Sequence, residues 1–97
     1  MLLVLDLRSM RTTASLKVPA EPDVLAFDAG LRRLYVACES GSLAVFEERD
    51  ARLKPLGEYR APHAHTVAVD PNTHRVYLPL QVIDGKPLLR ILAPSVM

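Results

Sequence analysis

Val24-Leu25-Ala26-Phe27-Asp28, followed after four residues by Arg33-Leu34-Tyr35-Val36, returns 42 residues later as Thr66-Val67-Ala68-Val69-Asp70 followed by Arg75-Val76-Tyr77-Leu78. Over the thirteen aligned positions Ala, Asp, Arg and Tyr are identical, and apolar residues replace apolar residues at Leu25/Val67, Phe27/Val69, Leu34/Val76 and Val36/Leu78. Each copy holds two short apolar runs around a polar turn, the pattern of a strand pair rather than of a helix. A period near forty residues with several such runs per unit is the spacing of propeller blades, not of helical or leucine-rich arrays.

Working outward from the first copy, residues 24–28, 33–38, 43–47 and 56–59 read as four strands, with turns around Gly30, Gly41 and Lys54-Pro55. Upstream, residues 2–7 and 15–18 form a hairpin across the polar turn 8–13, and the two prolines of residues 19–23 make a connector. Downstream, residues 61–64 lead into strands at 65–70, 75–80 and 88–92, with no fourth strand after them. Eight prolines and the absence of helical apolar spacing leave little room for helix. The predicted fold is therefore all-β: antiparallel four-stranded β-propeller blades making a partial propeller. Residues 1–18 supply the last two strands of a blade, 19–60 a complete blade and 61–97 an incomplete final one.

Twelve basic against eleven acidic residues give a net charge of +1, and the basic side chains are interleaved with acidic ones, as in Glu47-Glu48-Arg49-Asp50-Ala51-Arg52. Phosphate-backbone binding requires a clustered basic excess, so nucleic acid is not an expected partner. The single cysteine, Cys38, allows no internal disulfide and no thiolate cluster, and its place in the apolar alternation Leu34, Val36, Cys38 marks it as a packing residue. The apolar opening Met1-Leu2-Leu3-Val4-Leu5 is interrupted by Asp6 and lacks a basic lead and a cleavage site, so it is not read as a signal peptide. No run approaches the length of a membrane-spanning helix.

Residues 28–36 and 70–78 resemble the D-P-x-x-x-R-V-Y-V repeat of YVTN or YncE-like β-propellers, which are also WD40-like in architecture. Val4-Leu5-Asp6-Leu7 is similar to the third-strand motif of that repeat, and Pro62-His63-Ala64-His65-Thr66 to the entry of a late blade. The resemblance covers nearly the whole chain. It implies a ring of about seven blades, of which this chain has material for barely two. It thus implies a C-terminal portion of a longer propeller, with Met1 an internal start, and partners that are either the remaining blades or further copies of the chain. The family includes surface-layer proteins, lactonases, quinoprotein subunits and haem-binding domains, and its members are often periplasmic or extracellular. Compartment is not fixed by these residues.

In such an architecture ligands meet the blade connectors and the loops between second and third strands, which selects Glu21, Asp23, His63 and His65 from connectors and Glu39, Ser40 and Asp84 from loops. The ligand-binding candidates are His63, His65, Glu39 and Asp23. His63 and His65, two residues apart, project to one side of an extended segment. A zinc site built on them would need a third ligand, and His74 lies about 15 Å away by strand rise, so no metal and no cofactor is assigned. Asp28 and Asp70, repeated at equivalent positions, are read as acceptors for the following turn. Tyr35 and Tyr77 are read as packing between blades. With no phosphate loop or nucleophile elbow, no catalytic residue is assigned. The function indicated is a non-catalytic binding or scaffold module for a small-molecule or protein ligand. The alternative is part of a propeller enzyme, lactonase-like or a cofactor-dependent oxidoreductase, with His63 and His65 on its active face.

Overall fold

The computed structural model describes residues 1–94 of the 97-residue chain and contains, among the described residues, strands and no helix. The strands are β1 (Leu2–Asp6), β2 (Arg11–Leu16), β3 (Pro22–Asp28), β4 (Arg33–Cys38), β5 (Ser42–Arg49), β6 (Arg52–Arg60), β7 (Ala68–Val69), β8 (Val76–Ile83) and β9 (Lys86–Leu92). All pairings are antiparallel, and strand order follows chain order in a two-stranded sheet β1-β2, a four-stranded sheet β3-β4-β5-β6 and a three-stranded sheet β7-β8-β9. No helix is long and apolar enough to cross a membrane.

The central sheet is covered on both faces, which explains the near-continuous apolar runs of β4 and β5. Residues alternate between faces along each strand. Tyr35, Ala37, Leu43 and Val45 therefore point one way and pack with Val67, Val76, Leu78 and Leu80 of the third segment. Val36, Cys38, Ala44 and Phe46 point the other way and meet Leu2, Leu16 and Val18. Each leucine or valine buried in this way contributes about 1.5–3 kcal/mol relative to exposure, so the two cores are the main cohesion between the sheets.

Three local expectations differ from what the chain adopts. The β5–β6 turn is not at Lys54-Pro55 but at Asp50 and Ala51, both left-handed (φ 51° and 63°), flanked by the Arg49–Arg52 pair. Two positive-φ residues match the right-handed strand twist and give the tight hairpin connection. Pro55 falls inside β6 instead, on a sheet-edge strand next to an irregularity in register opposite Val45 and Phe46, where a missing N–H is tolerated. The predicted strand over 65–70 contracts to Ala68–Val69, and the connector ahead of it is a turn closed by Ala64 N–H donating to the Ala61 carbonyl at 3.1 Å. Finally, β2 begins at Arg11 rather than at residue 15: Asp6 accepts the Arg8 N–H on its side chain and the Met10 N–H on its carbonyl, closing a shorter turn.

Candidate functional site

Two ends of β3 carry side chains of different character. At its beginning, Glu21 has positive φ (59°) and its carbonyl accepts the Glu39 N–H at 2.8 Å, which ties the connector before β3 to the end of β4. Pro22 pairs with Cys38 while Val24 pairs with Ala37, so Asp23 is the extra residue of a bulge. Bulges re-aim a side chain out of the strand's alternation, and Asp23 is exposed. Beyond Cys38 the chain turns through Glu39-Ser40-Gly41; Gly41 takes φ 117°, donates to the Cys38 carbonyl at 3.0 Å and accepts the Ala61 N–H at 2.8 Å. Only glycine adopts that backbone readily.

The connector that follows is anchored by small apolar residues. Ala61 and Ala64 are buried in the core, and Ala64 bridges Leu80 of β8. His63 lies between them at φ 62°, exposed, with its carbonyl facing the Gln81 N–H at 3.5 Å. The segment is thus a turn rather than an extended strand, and the prediction that His63 and His65 project together from one extended edge does not apply. Each histidine instead meets a different neighbour. His63 lines an open recess with Glu39, Ser40, Gly41, Arg60 and Pro62. His65 places Nδ1 3.9 Å from Asp23 Oδ2, and one ligand atom from each of Asp23, Glu39 and His65 lies within 4.8 Å of the others.

All four sequence-selected residues therefore sit at one end of the molecule, in two overlapping groups that share Glu39. Of the wider selection, Ser40 joins the recess and Glu21 ties its backbone to Glu39, whereas Asp84 heads the β8–β9 turn with Gly85 (φ 51° and 79°). The residues that cluster are thus Asp23, Glu39 and His65, with His63 outside the set, and not the two histidines together. Their convergence depends on the Asp23 bulge, which an isolated strand sequence does not announce.

The other end of β3 is a buried joint. Asp28 is 0% exposed; its Oδ1 accepts the N–H groups of Gly30 at 3.0 Å and Leu31 at 3.2 Å, and its Oδ2 lies 2.7 Å from Nδ1 of His74. The turn-holding role read for the repeated aspartates is present, and at Asp70 the carboxylate likewise accepts the Asn72 N–H at 2.9 Å. The histidine partner was not foreseen. Gly30 admits it: a Cβ at that position would stand 2.7 Å from His74 Cε1. Five residues of strand, about 17 Å, separate this joint from Asp23. His74 is accordingly remote from His63 and His65.

Cys38 is completely buried, and its thiol is pushed up by desolvation first and by the Glu58 charge second. That disfavours the thiolate and with it any nucleophilic role. No protein-family model, curated protein or solved structure matches the chain.

Proposed function

We propose that the chain is a repeat module of the YVTN or YncE-like β-propeller kind, non-catalytic, that binds a ligand at the recess between its connectors and stacks on further blades or copies through its outer sheet faces. The observation that carries the binding reading is the gathering of Asp23, Glu39, His63 and His65 at one end of the sheets, exposed or half-buried, on the β3 bulge and on loops anchored by Ala61, Ala64 and the Glu21–Glu39 backbone bond. Functional side chains carried on loops above a packed scaffold are the usual arrangement of binding sites.

Support for stacking comes from the repeat itself. Tyr35 and Ala37 lie on the face of the central sheet that the third sheet covers. Their counterparts 42 residues on, Tyr77 and Pro79, lie on the outer face of the third sheet with Ile91 and Leu89, the residues opposite them on β9. Leu89 and Ile91 are 54% and 52% exposed there. A surface built like a covered one but left apolar and open is an interaction surface.

The enzyme alternative would use Glu39 and His63, a carboxylate and an imidazole lining one recess, as an acid–base pair. A screen of small polar fragments followed by amide chemical shifts tests the binding reading. Perturbations should cluster at residues 21–23, 38–41 and 61–66. Fragments that bind only elsewhere, or none that bind, would overturn it.

A further inference from the structure

We propose that Asp23, Glu39 and His65 bind one divalent transition-metal ion with zinc-like ligand preference. This rests on the reading of the connector recess as a binding face and names one occupant for it. Three chain segments contribute: the bulge at the start of β3, the residue after β4 and the connector before β7. Their ligand atoms already lie within 4.8 Å of one another, with the His65 Nδ1 to Asp23 Oδ2 separation at 3.9 Å. Two nitrogen or oxygen ligands of a tetrahedral zinc ion, each about 2.1 Å from the metal, stand about 3.4 Å apart. Closing the set therefore needs side-chain adjustments of about 1 Å, within what a χ rotation of a partly exposed side chain supplies.

The chemistry of the set discriminates among ions. Calcium and magnesium prefer all-oxygen shells, whereas an imidazole beside carboxylates suits zinc, nickel, iron or copper. Two carboxylates brought this close repel each other, and among the described residues no lysine or arginine is ion-paired to either. A divalent cation held between them offsets that repulsion. Three protein ligands leave a fourth position open, as in sites that hold a water or an exchangeable ligand rather than closed structural ones. Glu39 belongs both to the set and to the wall of the recess lined by His63, so the two sites adjoin.

The test is a zinc titration of the 97-residue chain against a chromophoric competitor, repeated with cobalt(II) for its visible absorption, with amide shifts to place the ion. One equivalent should bind, shifting residues 21–23, 38–41 and 63–66. His65→Ala and the isosteric Glu39→Gln should each weaken binding by at least about tenfold, the scale on which metal sites respond to altered ligation. His74→Ala, remote from the set, should leave it within about threefold, and amide spectra of every variant report folding. Absence of saturable binding, or equal loss in the His74 variant, would overturn the metal site. Fragment shifts at the recess without a zinc response would sink the metal and spare the binding face. Zinc held by the three residues with no fragment response would leave the site as a metal site and limit the wider reading.

Discussion

Asp28 and His74, 46 residues apart, join the central sheet to the third sheet through a 2.7 Å contact between Oδ2 and Nδ1. The aspartate is completely buried while the histidine side chain is 30% exposed, so the pair presents one face to solvent and shields the other. With Oδ1 occupied by the Gly30 and Leu31 N–H groups, the carboxylate organises its own turn and grips the next sheet at once.

Removing the imidazole should expose how much that grip contributes. His74→Ala leaves a buried carboxylate oxygen without its partner, and stranding a buried polar group of this kind costs about 1–3 kcal/mol, more when it is charged. Urea denaturation of the two proteins should show the loss as a lower midpoint at unchanged slope. A midpoint unmoved by the substitution would mean that water replaces the imidazole without cost.

Burial makes Cys38 a reporter of sheet separation. Its thiol is completely buried between the central sheet and the β1–β2 hairpin side, and desolvation holds it above the ordinary cysteine value. Reaction with a disulfide reagent at pH 8 should therefore proceed only through opening, at least about a hundredfold more slowly than in urea. Labelling complete within mixing would show that the hairpin does not stay on the β4–β5 face.

Acid should loosen the turn that Asp70 holds in the third segment. The Asn72 N–H, then backbone and side-chain bonds from Thr73, hold the Asp70 carboxyl below its ordinary value of 3.8. A group whose folded pKa is depressed stabilises the fold above its unfolded value and loses that contribution as pH falls through the folded one. The thermal midpoint should thus decline below about pH 4. Asp70→Asn should flatten the decline; an identical acid profile in that variant would remove Asp70 from the cause.

How far the sequence spoke for the molecule follows from which forces are local. The 28–36 and 70–78 copies announced β4, and β4 runs from Arg33 to Cys38 as the alternation predicts, because two-sided burial makes that pattern strong. Asp23, Glu39, His63 and His65 could be grouped in advance because strand order places their loops at one end. What stayed hidden depends on single-residue backbone events or on contacts between sheets. The left-handed pair Asp50 and Ala51 carries no glycine to betray the turn, and Pro55 invites a turn where an edge strand accepts it. The bulge that turns Asp23 toward His65, and the pairing of Asp28 with a histidine 46 residues on, are tertiary choices without a local signature.

The outer faces set the last prediction. The hairpin presents Leu3 and Leu5 outward, 60% and 48% exposed, and the third sheet presents Leu89 and Ile91 on its outer face. Inside the molecule the corresponding joints are apolar on both sides, so the two outer faces are chemically suited to each other in head-to-tail contact. Such a contact is heterologous, and it either closes into a ring or grows. Light scattering after size exclusion should therefore give a mass above that of one chain, rising with concentration unless the ring closes. Ile91→Lys places a charge at the centre of the joint and should shift the mass to that of the monomer while leaving the buried residues of β8 untouched. Association that survives Ile91→Lys and also Leu5→Lys would assign it to the free strand edges instead of the faces, since edge pairing uses backbone groups that neither substitution removes.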